Sequence, residues 1–173
     1  EKIIKRLLKI QNKMEVDNPA LIGLLGSVYW WKGESKKSLP LIKKSVSGLE
    51  KLYGLNDSSL IQPLINLAMA HYRLQNYGEA ERLLRRSLSM QFSRIQEEAI
   101  YLPVSQRLDF LSTFGISYAA IFSATNLHPN GKELALWARL NRHGLLEELQ
   151  KRQQNLATLK GPHESIIDRL KLI

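Results

Sequence analysis

The chain repeats itself, and this constrains its fold more than any single motif. Leu25-Gly26-Ser27-Val28-Tyr29 recurs forty-two positions on as Leu67-Ala68-Met69-Ala70-His71. The same offset carries Gly33 onto Gln75, Ser38 onto Ala80, Ile42 onto Leu84, Ser45 onto Ser87 and Val46 onto Leu88. Small residues fall on small ones and large apolar residues on large ones. Helices that cross closely need this pairing: a small side chain at the crossing and a large one filling the space beside it. A period of a few dozen residues marks units that cannot bury their own apolar face and must stack on a neighbour.

Within each unit the apolar residues recur at helical spacing, not in alternation. Leu64, Leu67, Ala68 and His71 form one stripe, and Ala80, Leu83, Leu84, Ser87 and Leu88 another. Two more run through Leu108, Leu111, Gly115, Tyr118, Ala119 and Phe122, and through Leu134, Trp137, Leu140, Gly144, Leu145 and Leu149. No segment carries the alternation and turn dipeptides of a hairpin of strands. The chain is therefore expected to be all-α. Breaks at Asp17-Asn18-Pro19, Lys32-Gly33-Glu34-Ser35, Gly54 to Ser59, Gln75-Asn76-Tyr77-Gly78, His128-Pro129-Asn130-Gly131 and Gly161-Pro162 punctuate it. They predict helices near 1–13, 19–32, 36–52, 59–74, 78–99, 104–125, 131–159 and 164–173. The short connections make neighbours antiparallel.

Composition removes several functions. With no cysteine among 173 residues there is no disulfide scaffold, thiolate metal site or cysteine nucleophile. The longest apolar run, near Ile121, falls far short of the roughly 18 residues of a membrane span. No signal peptide is expected from the opening residues, and a chain opening on Glu1 directly in a helical pattern is expected to be a segment of a longer protein. The net charge of +9 is spread along the chain with no block of five like charges. The nearest approach to a nucleic-acid footprint is Arg82, Arg85 and Arg86 at helical spacing, which reads first as a solvated outer face.

The residues resemble the tetratricopeptide repeat. Ile22, Leu25, Gly26, Tyr29, Gly33, Ser38, Ile42 and Ser45 match its pattern in one unit, and Leu64, Leu67, Ala68, His71, Ala80, Leu84 and Ser87 in the next. The period of 42 exceeds that family's usual one. Leu52-Tyr53-Gly54, Pro40 and the run from Tyr77 to Leu88 resemble its kinesin-light-chain-like variety. Further on, Gln106 to Thr113, Leu140 to Glu148 and Lys151-Arg152-Gln153 resemble the helical segment that precedes the caspase-like domain of bacterial CHAT proteins. The resemblance implies a right-handed superhelix (solenoid) of antiparallel hairpins. A partial unit would lie at 1–16, repeats at 19–52 and 59–99, and a further hairpin and helix on the same solenoid over 101–173. It also implies a cytoplasmic bacterial protein whose function is protein–protein interaction through a concave groove.

Carried over by repeat position, the groove residues are Ser27, Trp30 and Trp31 in the first unit. In the second they are Gln62, Ile65, Asn66, Met69, Tyr72 and Arg73. Arg107, Leu111 and Phe114 would follow in a third. Asn66 matches the family's carboxamide that holds a partner backbone, whereas Leu24 stands at its place in the first unit. The types suit a peptide: tryptophan and tyrosine give rigid contact area, methionine adapts, and arginine can clamp a carboxylate. Other roles are open to some of them. One of two adjacent tryptophans on a helix usually faces the core, and Asn66 could bridge to a neighbouring helix.

No enzyme, cofactor or metal is expected. His71 occupies an aromatic core position, and His128 and His163 stand in loops. No two histidines lie four apart on a helix, as a zinc pair would. Glu147 and Glu148 point about 100° apart on a helix. Gly23, Gly26 and Gly33 are packing and turn residues, not a phosphate loop. Nucleic-acid or anionic-surface binding through the basic balance is the alternative function, and a structural spacer or self-association unit is another.

Overall fold

The computed structural model describes residues 18–103 and 131–158 continuously, with isolated helical positions between 2 and 9 and between 106 and 119. The expected helices at 1–13, 104–125 and 164–173 lie, as spans, outside the described residues. The others appear within a residue or two of their expected bounds. They are α1 (Pro19–Trp31), α2 (Ser35–Tyr53), α3 (Ile61–Arg73), α4 (Tyr77–Glu98) and α5 (Gly131–Thr158). Single 3-10 turns stand at Ser58–Leu60 and Ala99–Tyr101, and the described residues contain no strand.

Local chemistry sets the ends. Asn18 caps α1, its side-chain oxygen accepting from the amide of Ala20 at 3.0 Å. Pro19 takes the first helical position, where its missing N–H goes unneeded. At the far end the Gly33 amide donates to the Trp30 carbonyl and the Glu34 amide to that of Tyr29. This crossed pair of bonds satisfies carbonyls the helix leaves open, and it requires a left-handed residue. The second hairpin closes identically: Gln75 donates to Tyr72 and Asn76 to His71. Gly33 has φ 79° and Gln75 φ 61°. Every partner in the second turn lies forty-two residues after its counterpart, so the period read from side chains is also a backbone period.

The helices of the first hairpin touch through their smallest residues. A Cβ built on Gly26 would stand 2.6 Å from Cγ1 of Ile42 and 3.1 Å from its backbone nitrogen, and one on Gly23 would meet Ser45 Oγ. One on Gly48 would strike Pro19. The pairs 19–48, 23–45 and 26–42 run in opposite senses along α1 and α2, as an antiparallel crossing demands. The approach lets the buried Ser38 hydroxyl donate to the Gly26 carbonyl at 2.8 Å. In the second hairpin Ala68 replaces Gly26 and Leu84 replaces Ile42, both fully buried. Pro40 lies inside α2 at an exposed position without breaking the helix.

One core then runs from hairpin to hairpin. Ile42, Val46 and Leu49 of α2 join Leu64, Leu67 and Ala68 of α3 and Leu83, Leu84 and Leu88 of α4 in a single cluster. Leu134 and Ala138 extend it into α5. Phe92 meets Trp137 at 5.9 Å between ring centres, and Arg85 lies over the same indole. The stripe on α5 is shifted from the one expected: Ala138 is buried and Leu140 is 61% exposed. At that point Leu140 faces a hollow with Phe92, Gln96 and Asn141, beyond which the helices meet again where Gln96 donates to Glu148. The described elements form an all-α helical-repeat solenoid.

The two turns differ in what they ask of their residue. A Cβ on Gly33 would meet nothing within 4 Å, so only backbone strain opposes a side chain there. Gly33→Ala should lower stability by about 1 kcal/mol, and Gln75→Gly should leave it unchanged or raise it by up to about 1 kcal/mol. Urea denaturation checks the order, and destabilisation by Gln75→Gly would contradict the turn geometry.

Candidate functional site

The first helices of the two hairpins, α1 and α3, lie side by side and form the wall onto which the expected groove residues project. Thirteen residues of α1 carry no charge at all. A helix apolar all round is normally covered all round. Yet Leu24 is 51% and Trp31 78% exposed. Leu24 was not singled out by sequence as a contact residue; the signal for it was an apolar side chain on an uncharged helix, at the place where the second unit has Asn66.

The adjacent tryptophans divide. Trp30 turns partly inward and packs on the core, while Trp31 remains outside, edge-on to it with ring centres 5.0 Å apart. Arg73 reaches across from α3. Its guanidinium carbon lies 4.0 Å from the centre of the Trp30 ring, and it donates a hydrogen bond to the Trp30 carbonyl. An arginine held by a ring and a carbonyl keeps its charge and most of its five donors.

A polar ladder stands beside this stack. Gln62 Nε2 donates to Asn66 Oδ1 at 2.9 Å, and Asn66 Nδ2 donates to Ser27 Oγ at 3.3 Å. Ser27 in turn donates to the Gly23 carbonyl one turn back. Asn66 therefore does bridge to the neighbouring hairpin. Each carboxamide still keeps a donor and an acceptor position for another chain.

Not every expected groove residue is accessible. Ile65 and Tyr72 are buried, at 3% and 5% exposure. Ile65 takes the place of Gly23, the residue that faces the partner helix within the first hairpin, so its bulk fills the crossing. Tyr72 packs edge-on against Tyr77 with ring centres 5.4 Å apart, and burial pushes its phenol pKa up. Both lie beneath the surface formed by α1 and α3 and do not line it. Ser27, Met69 and Leu111 are half-buried, and Gln62 and Arg73 are exposed. Arg107 and Phe114 lie outside the described residues.

The arginines on α4 are differently placed. Arg82 pairs with Glu79, Arg85 with Glu81, Arg94 with Glu98, and Arg86 joins Glu50 of α2 and the Leu55 carbonyl. Among the described residues, no cluster of three or more metal-binding side chains occurs, and no helix is long and apolar enough to cross a membrane.

His71 is half-buried at the end of α3, its Nδ1 enclosed with no hydrogen-bond partner. Burial holds its pKa below the usual histidine value; Glu79 opposes this, while Lys43 and Arg82 reinforce it. The unfolded chain thus takes up the proton first as pH falls. Stability should be full above about pH 6.5 and decline as pH drops through the lower folded-state pKa. Urea midpoints between pH 7.5 and 5.5 test this, with His71→Phe expected to flatten the profile. An equal decline in the variant would assign it to other groups.

Residues 18–91 match the family model for the tetratricopeptide repeat, and the match supports a tetratricopeptide repeat protein. Neither a curated protein nor a solved structure gives a significant match.

Proposed function

We propose that the groove between α1 and α3 receives an extended segment of a partner protein, and that this chain is the N-terminal arm of a larger bacterial CHAT protein. Tetratricopeptide repeats are in general protein-interaction modules, which carries the class of function. The single observation behind the placement is the uncharged helix α1, which leaves Trp31 and Leu24 open to solvent beside the Gln62–Asn66 ladder. Large apolar side chains gain from being covered, and an exposed tryptophan with few rotamers is the usual anchor of an interface. The carboxamides fit the backbone of an extended chain, with one donor and one acceptor on each. The kinesin-light-chain-like character of residues 77–88 and the CHAT-like run over 101–173 support the arm assignment. Packing of α5 on α4 supports a single solenoid continuing past residue 100.

The alternative, a nucleic-acid surface, is less well supported. The arginines at helical spacing on α4 each face a carboxylate, so they do not form the free basic stripe that tracks a phosphate backbone.

Trp31→Ala tests the reading. Truncating an interface anchor costs about 2 kcal/mol of binding, roughly a 30-fold loss of affinity. Folding should change by no more than about 0.5 kcal/mol, because the ring is a surface group. The full-length protein should lose its partner in a quantitative pull-down while melting as before. Retention at wild-type strength would refute the groove.

A further inference from the structure

Helix α2 carries a surface that the groove does not use. Its core side runs through Ser38, Ile42, Ser45, Val46 and Leu49. Its opposite side holds Lys36, Lys37, Lys43, Lys44 and Lys51, all exposed and interrupted only by Pro40 and Ser47. At about 100° per residue these positions fall within a sector of roughly 120°, and the lysines extend along about 22 Å of helix. From this row, and from the apolar side chains at its end, we infer that the outer face of α2 lies on an anionic lipid surface. The lysines meet the headgroups, and Leu52, Tyr53 and Leu55 enter the interface. The inference is independent of the groove reading.

Pairing sets this face apart from its counterpart in the second hairpin. Forty-two residues on, Lys43 and Lys44 become Arg85 and Arg86, which are neutralised by Glu81 and Glu50. Arg82, the counterpart of Pro40, is paired with Glu79. On α2, Glu34 takes up Lys37, but Lys36, Lys43 and Lys51 form no ion pair among the described residues. Glu50 is the one acid in α2, and it is drawn aside to Arg86. The positive field of this face is therefore left for a partner of opposite sign.

The end of α2 supplies the apolar part. Leu52, Tyr53 and Leu55 are each more than half exposed. They stand on a braced turn: Gly54 reverses the chain at φ 92°, and Arg86 donates to the Leu55 carbonyl. Lysine stems reach along a surface while their ammonium groups stay in water, and leucine and tyrosine beside them settle at the headgroup boundary. Clustered lysines next to such groups are the chemistry that anionic leaflets attract. A nucleic acid fits this face less well. No aromatic ring stands between the lysines for a base to stack on, and the leucines offer a phosphate backbone nothing.

The experiment is co-sedimentation of the full chain with phosphatidylcholine vesicles, with and without about 30% phosphatidylglycerol, at several salt concentrations. Each variant is checked for folding by circular dichroism. Binding is expected only to the anionic vesicles, weakening as salt rises. Lys36→Gln, Lys43→Gln and Lys51→Gln together should weaken it roughly 100-fold, at about fivefold per lysine. Lys132→Gln, Arg139→Gln and Lys151→Gln remove the same charge from α5 and should cost no more than about threefold. Leu52→Ser with Leu55→Ser should weaken binding about tenfold and leave its salt dependence unchanged. No binding to anionic vesicles, equal binding to neutral ones, an equal loss in the α5 variant, or indifference to the lysine or the leucine substitutions would each overturn the inference. Binding of an oligothymidylate that the α2 substitutions abolish, without binding to vesicles, would replace the lipid by a nucleic acid.

Discussion

Everything in this fold depends on how closely α1 lies against α2. Gly26 has no side chain to hold Ile42 away, and the resulting contact brings the Ser38 hydroxyl within 2.8 Å of the Gly26 carbonyl in a fully buried site. A buried hydroxyl without a partner would be penalised, so the hydrogen bond and the close approach require each other. The stripe of α2 that meets α1 through Ile42 continues through Val46 and Leu49, and all three join the core shared with α3 and α4. Stacking is therefore an extension of the crossing, and a single hairpin would leave part of this stripe in water.

The proposed groove rests on the same geometry. Helices α2 and α4 bind the stack together, so the outward sides of α1 and α3 have little structural work. That is where the uncharged helix exposes Leu24 and Trp31, and where Gln62, Asn66 and Ser27 link one hairpin to the next. The polar ladder fixes the spacing of the two hairpins and points its remaining donors and acceptors outward. The Arg73–Trp30 stack does the same at the other end of the wall. Contacts that stabilise the solenoid thus also preset the surface proposed to receive a partner, which would reduce the ordering needed on binding.

Much of this was legible in the sequence, because the repeat places small residues where backbones must approach. Asn18-Pro19 announced the start of α1, and the alignment of Gln75 with Gly33 located both turns. That glutamine would adopt a left-handed backbone was not visible from its type, since residues with a Cβ rarely do so. Transfer of positions from one unit to the other failed where volumes differ. Ile65 was expected in the groove, but it stands for Gly23 and its bulk turns it into the core. The two tryptophans could not be separated by periodicity alone, because adjacent helical residues differ by about 100° and the core lay on an unknown side. Leu140 continued an apolar stripe on paper, but at its level a hollow opens between α4 and α5.

The most direct test of the central claim is hydrogen exchange in a Leu64→Ala variant. Leu64 sits fully buried in α3, in the cluster shared with α2 and α4, and its truncation should remove about 2–5 kcal/mol. If the hairpins share one core, amides of α2 and α4 should lose protection together and to a similar extent. Loss confined to α3 and α4, with α1 and α2 protected as in the wild type, would show that the hairpins are independent and would contradict the stacked architecture.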